Sequence, residues 1–192
     1  MMQKRIRNIE RFCMNPIKTQ EKVFNNLISK GKNTAFGKEH HFNTITRYSH
    51  FKNNIHIRTY EEFSVYIARA RNGEQNVLWP GKIKWFSKSS GTTNAQSKFI
   101  PITKESLHEC HFKGGKDMLS LYGNNFPFSD MYNGKGLMLG GTIKESENGD
   151  YKDGDLSAIL LDEFPFWVNY HRVPDIETAL MEDWEDKLER IA

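Results

Sequence analysis

From Ser89 to Lys98 the chain reads Ser-Ser-Gly-Thr-Thr-Asn-Ala-Gln-Ser-Lys, a run of hydroxyls and backbone amides that ends in one cation. Ser89, Ser90, Thr92 and Thr93 supply neutral donors, and Gly91 admits backbone angles closed to other residues, so successive N–H groups can turn toward one point. Such a concave array suits the phosphates of ATP. Lys98 adds a compact ammonium on a flexible stem that can follow phosphate oxygens as charge moves during reaction, which makes it the candidate catalytic residue. This is not the nucleoside-triphosphatase loop, which requires G-x-x-x-x-G-K-[ST]. A structural Ser/Thr loop between two strands is the alternative. The strand before the segment and the Lys-x-x-Pro after it favour phosphate binding.

The loop needs elements to hold it. Ile83 to Phe86 reads as a short buried strand feeding the loop, and Phe99-Ile100-Pro101 closes it. Thr103 is the expected N-cap of a helix over 104–122. Strands are expected at 136–140 and 156–161, with turn residues between them at 148–154. Upstream, Val23, Phe24, Leu27 and Ile28 recur at helical spacing before Gly31, and Tyr60, Phe63, Ile67 and Ala70 define a second amphipathic helix. Residues 32–54 are polar, and Trp79-Pro80-Gly81 is a turn. Ile176, Leu180, Trp184, Leu188 and Ile191 fall on one helical face. The fold class is therefore α/β, N-terminal helices followed by part of a helix-flanked sheet. Residues 1–80 form a helical lead-in and 81–192 carry the loop and sheet. The last helix has no stop signal, so a truncated chain is expected.

Bulk properties narrow the partners. The 192 residues are 38% hydrophobic and 27% charged, which excludes wholesale disorder. A net charge of +3 is too balanced for a nucleic-acid footprint. No segment approaches the ~20 apolar residues of a membrane span, and the basic N-terminus lacks a signal peptide's apolar run. The two cysteines, Cys13 and Cys110, are too few for a disulfide framework and point to the cytoplasm.

Other candidates carry less. His108, Cys110 and His111 share a helix but lack the further ligands of a zinc site, so no metal centre is expected. Arg172 could grip a substrate carboxylate bidentately, or pair with Asp175 or Glu177. Asp155 and Asp162 are not an acid/base pair for adenylation, because a carboxylate is already nucleophilic at neutral pH. Phe164, Phe166 and Trp167 line an acyl pocket or fill the core.

Trp85-Phe86-Ser87-Lys88-Ser89-Ser90-Gly91-Thr92-Thr93, followed by Lys98-Phe99-Ile100-Pro101, resembles the acyl-acid amido synthetases. These are the plant auxin- and jasmonate-conjugating enzymes and their bacterial relatives, within the adenylate-forming superfamily. Thr34-Ala35-Phe36-Gly37-Lys38, residues 73–81, Gly114-Gly115-Lys116-Asp117 and Gly154-Asp155-Leu156-Ser157-Ala158 resemble the bacterial branch in the same order. The resemblance implies an N-terminal portion of the adenylating domain, with the C-terminal domain absent. It implies attack of a carboxylic acid on the α-phosphate of ATP, accompanied by Mg²⁺, and then amide formation with an amino acid. It places the phosphates on Ser89, Ser90, Gly91, Thr92, Thr93 and Lys98. In the wider superfamily a glycine commonly follows the two threonines, where this chain has Asn94 and Ala95. An acyl-coenzyme A synthetase would share the first half-reaction, and a truncated, non-catalytic remnant would share neither step.

Overall fold

A computed structural model of the chain describes residues 2–89, 97–131 and 133–191. It divides into two compact units, residues 1–83 and 84–192.

The first unit is helical. Helices α1 (Met2–Met14) and α2 (Pro16–Gly31) are followed by α3 (Ala35–Glu39), a 3₁₀ turn at Phe42–Thr44, α4 (Tyr48–Asn54) and α5 (Tyr60–Arg71). The stretch 32–54, read as merely polar, thus contains two helices. Capping explains the first of them. Thr34, 1% exposed, donates through Oγ1 to Gly31 O at 2.7 Å and accepts from Gly37 N at 3.0 Å, which turns the chain from α2 into α3. Phe36 then enters an aromatic cluster, stacked on Phe63 at 5.5 Å and edge-on to Tyr66 at 5.3 Å. Thr59 and Glu62 form a reciprocal capping box that starts α5.

The Thr34 cap makes a quantitative expectation possible. Thr34→Val keeps the side-chain shape but leaves the buried Gly37 N–H without its acceptor. An unsatisfied buried donor costs about 1–3 kcal/mol. Urea unfolding should therefore show a lower midpoint at unchanged slope, since the surface exposed on unfolding stays the same.

The second unit is α/β. Strands β1 (Trp85–Ser89) and β2 (Lys98–Ile102) form an antiparallel hairpin. A π-helical turn (Ser106–Phe112) leads into α6 (Lys113–Asn125), so the helix expected over 104–122 is present with a wider first part. Thr103 caps its start: Oγ1 accepts from Ser106 N at 3.0 Å. Then come β3 (Gly136–Leu137), β4 (Ile143–Glu145), β5 (Lys152–Gly154), α7 (Leu156–Asp162), a 3₁₀ helix at Phe166–His171, β6 (Arg172–Val173), α8 (Ile176–Ala179) and α9 (Trp184–Ile191). The main sheet has the order β2-β1-β5-β4, with β1 and β5 parallel. Strands β3 and β6 form a separate parallel pair.

Four sequence expectations change. The strand expected over 83–86 runs instead from Trp85 to Ser89, so it takes in the first residue of the hydroxyl-rich segment. Residues 156–161 are helical, and the strand lies just before them at Lys152–Gly154. Ala158, Ile159 and Leu161 are buried, and Ile159 joins Trp85, Ile102, Leu107 and Phe112 in the core on one face of the hairpin. The apolar run was therefore a short buried helix, a pattern that periodicity alone does not distinguish from a strand. The strand expected over 136–140 has only two residues in its ladder, although Met138 N–H still donates to Val173 O at 2.9 Å. The expected last helix is broken between Ala179 and Trp184. Asp183 restarts it by accepting from Glu185 N and Asp186 N, both at 2.9 Å.

Candidate functional site

The hairpin register decides where the loop begins and ends. Ser89 stands directly opposite Lys98, so the segment between them leaves and re-enters the sheet at one end. Ser90, Gly91, Thr92 and Thr93 lie outside the described residues. Because β1 and β5 run in the same direction, the carboxyl ends of both strands, Ser89 and Gly154, open on that same edge. The carboxyl ends of parallel strands are where helix-flanked sheets of this kind receive ligands.

A cleft of about 360 Å³ occupies this position, lined by Lys88, Ser89, Phe99, Thr142, Lys144, Asp153, Gly154 and Asp155. Register neighbours share a sheet face. Phe86 is paired with Asp153 and Lys144 with Asp153, while Lys88 is paired with Phe99, so these side chains stand on the face opposite Trp85. Ser89 and Lys98 alternate onto the Trp85 face. Ser89 lies at the cleft's edge and lines it, whereas Lys98 is held beside Ser89 without being among the lining residues.

The far wall is a short hydrogen-bonded crossing. Asp155 N donates to Thr142 O and Thr142 N donates to the Asp155 carboxylate, both at 3.1 Å. Gly141 is required there, because a Cβ would overlap the Asp155 carboxylate. Lys144 Nζ lies 2.8 Å from Glu182 Oε1, and that carboxylate holds the ammonium above the ordinary lysine range. The cleft therefore presents Lys88 and Lys144 with Asp153 and Asp155, a mixed set able to face both phosphate oxygens and a cation.

Sequence reasoning found Ser89 and Lys98 but passed over Lys88, Thr142, Lys144 and Asp153. Asp155 was weighed only against Asp162. The structure separates those two, since Asp162 pairs with Lys152 Nζ at 3.6 Å, at the start of β5. Arg172 is not brought to the cleft. It is 3% exposed, aligned with Gly136, and donates from Nε to Asn169 Oδ1 at 2.8 Å. Its Nη1 is buried without a hydrogen-bond partner. Asp175, one of its expected partners, instead accepts from Thr178 N and Oγ1 at the start of α8, and these bonds hold its carboxyl below the usual range. Phe164 packs on Phe112 with centroids 5.3 Å apart, while Phe166 and Trp167 are exposed. Among the described residues no group of three or more His, Cys, Asp and Glu is arranged to hold a metal ion, and no helix is long and apolar enough to cross a membrane.

This arrangement has the fold of the acyl acid amido synthetases. The solved structure of the GH3.15 acyl acid amido synthetase superposes with a TM-score of 0.77 at 20% identity, covering 94% of this chain and 31% of that one. The same enzyme in complex with 2,4-DB gives a TM-score of 0.72 at 21% identity, covering 84% of this chain and 28% of that one. The chain belongs to the GH3 family, whose N-terminal domain description matches residues 5–192. Relatives include the indole-3-acetic acid-amido synthetase GH3.4 of Arabidopsis thaliana, 30% identical over 112 residues, which are 58% of this chain and 19% of that protein. The jasmonoyl–L-amino acid synthetase JAR4 of Nicotiana attenuata is 31% identical over 123 residues, 64% of this chain and 21% of that protein. The matched region is thus about a fifth of the relatives' length.

Proposed function

We propose that this chain supplies the phosphate-binding part of an ATP-dependent ligase that joins a carboxylic acid to an amino acid. One observation carries the reading. Ser89 and Lys98 hold the two ends of the hydroxyl-rich segment at the carboxyl ends of the parallel strands β1 and β5, beside a cleft of mixed charge. Ser90, Gly91, Thr92 and Thr93 would cradle the phosphates. Lys98 would neutralise charge as pyrophosphate departs. A carboxylate oxygen of the acid attacks the α-phosphorus, forming the acyl-adenylate and releasing pyrophosphate. The amine of an amino acid then attacks the acyl carbon, AMP leaves, and the amine proton passes to solvent.

Mg²⁺ would arrive with ATP. Nucleotide-bound Mg²⁺ commonly needs only one or two protein carboxylates, and Asp153 and Asp155 in the cleft fit that need. Arg172 stays in this reading as a candidate for the acid's carboxylate, on the ground that its Nη1 is buried without a hydrogen-bond partner. Family membership favours an amine over a thiol as acceptor. Cys13 and Cys110 are both free and exposed, which supports a cytoplasmic setting.

The test is carboxylate-dependent ATP–pyrophosphate exchange by the protein purified at its natural length, which isolates the first half-reaction from the choice of acceptor. Hydrogen bonds to charged groups contribute about 1.5–3 kcal/mol, so Thr92→Ala or Thr93→Ala should slow exchange by about 10–100-fold. Exchange that ignores added carboxylic acids would sink the proposal.

A further inference from the structure

Helix α9 carries a lysine that the phosphate chemistry does not use. Lys187 is 3% exposed, and the contacts of its ammonium are with a backbone carbonyl and a ring. Its Nζ donates to Gly140 O at 2.9 Å and lies 5.6 Å from the centroid of the Trp184 ring. A buried ammonium is costly unless its contacts are specific. The contact it makes is with one peptide. The carbonyl of the Gly140–Gly141 peptide takes the ammonium, and the N–H of the same peptide donates to Ser157 Oγ at 3.2 Å.

One residue on, Thr142 exchanges hydrogen bonds with Asp155, and both line the cleft. On the other side, Gly140 N–H donates to Ala179 O at 3.2 Å, at the end of α8. The segment 140–142 is therefore anchored from α7, α8 and α9 at once, with the Asp155 carboxylate on the Thr142 N–H at one end and the Lys187 ammonium on the Gly140 carbonyl at the other.

We propose that Lys187 is a positioning residue: from α9 it fixes the Gly140–Thr142 segment and, through it, the Asp155 wall of the cleft. The kinetic consequence rests on the reading of that cleft as part of the nucleotide site. The structural consequence does not. Losing a charge-assisted hydrogen bond should ease local opening, and the same wall should then hold ATP less well while the departing group is stabilised as before.

The experiment compares Lys187→Met and Lys187→Arg with the parent, in the protein at its natural length. Hydrogen exchange should be at least about tenfold faster over 138–144 in Lys187→Met, with the hairpin at 85–89 and 98–102 unchanged. The KM for ATP in the exchange assay should rise about tenfold, with kcat within about threefold. Lys187→Arg, which keeps charge and donor, should stay within about threefold of the parent on both readouts. Should Lys187→Met not fold, Lys187→Gln carries the same comparison, because it removes the charge and keeps a donor.

Parental exchange over 138–144 would overturn the proposal. So would uniform acceleration across all amides, which marks a merely structural role, and so would local acceleration with an unmoved KM for ATP. If the parent shows no carboxylate-dependent exchange at all, the ligase reading fails, while the hydrogen-exchange arm still decides whether Lys187 fixes the segment.

Discussion

Lys98→Ala is expected to lower the turnover of carboxylate-dependent ATP–pyrophosphate exchange by about 10²–10³-fold while changing the KM for ATP much less. The magnitude follows from removing one preorganised donor aimed at charge that develops in the transition state. The split follows because ground-state phosphate contacts are shared among four hydroxyls and the loop amides, whereas charge moving onto pyrophosphate calls on the ammonium. Lys98 has a fixed base for this task. It is the first residue of β2, locked opposite Ser89 at the mouth of the hairpin. Lys98→Arg should recover only part of the rate, since a wide planar fork cannot track the oxygens as a compact ammonium does. Parental turnover in Lys98→Ala would make the segment structural and leave the ligase assignment resting on family membership alone.

The second large effect concerns folding, in the first unit. Gly37→Ala should strip it of its native packing. A Cβ at Gly37 would overlap the carbonyl of Gly31 and press on the Cα of Lys32, both backbone atoms that no rotamer can move. Relief would require α2 and α3 to separate, and the Thr34 hydrogen bonds that join them would stretch with that motion. Overpacking costs typically ~1–3 kcal/mol and more when backbone must shift. For a unit of this size each kcal/mol is worth roughly 4–8 °C in melting temperature, so a loss of at least about 10 °C is expected. The measurement is thermal unfolding followed by circular dichroism. A melting temperature within about 2 °C of the parent would show that α2 and α3 do not pack as described.

What could be read from the residues divides along a physical line. The strand that feeds the segment was legible because its information is local. The short run 83–86, a hydroxyl-rich segment and Lys-Phe-Ile-Pro follow one another without interruption. The expected strand is present as β1, starting two residues later. The closing Lys-Phe-Ile-Pro lies in a strand, β2, that was not expected. Thr103 was legible for the same reason, being a cap that acts three residues away. The cleft was not. Lys88, Lys144 and Asp153 come together only because β5 docks parallel to β1 and β4 returns beside β5, and no short-range pattern encodes that order. Leu156–Leu161 misled because a short stretch with five apolar residues in six fits a strand or a helix equally. The discriminating signal was Asp155 just before it, in the extended conformation of a helix N-cap. The apolar face running from Ile176 to Ile191 hid a break for a similar reason, since Asp183 restarts the helix without disturbing the spacing.

The placement of β1 in the middle of the sheet has a consequence for how the chain is made. One neighbour, β2, is supplied by the next few residues and can pair within microseconds. The other, β5, ends only at Gly154. At a synthesis rate of ~5–20 residues per second, several seconds pass on the ribosome before that partner has emerged. During that interval β1 presents an open row of N–H and C=O groups, with Trp85 and Phe86 not yet covered, on a nascent chain among other nascent chains. Co-translational protection of this single edge, by a chaperone or by dilute expression, should therefore raise the soluble yield more than any change to the helical first unit.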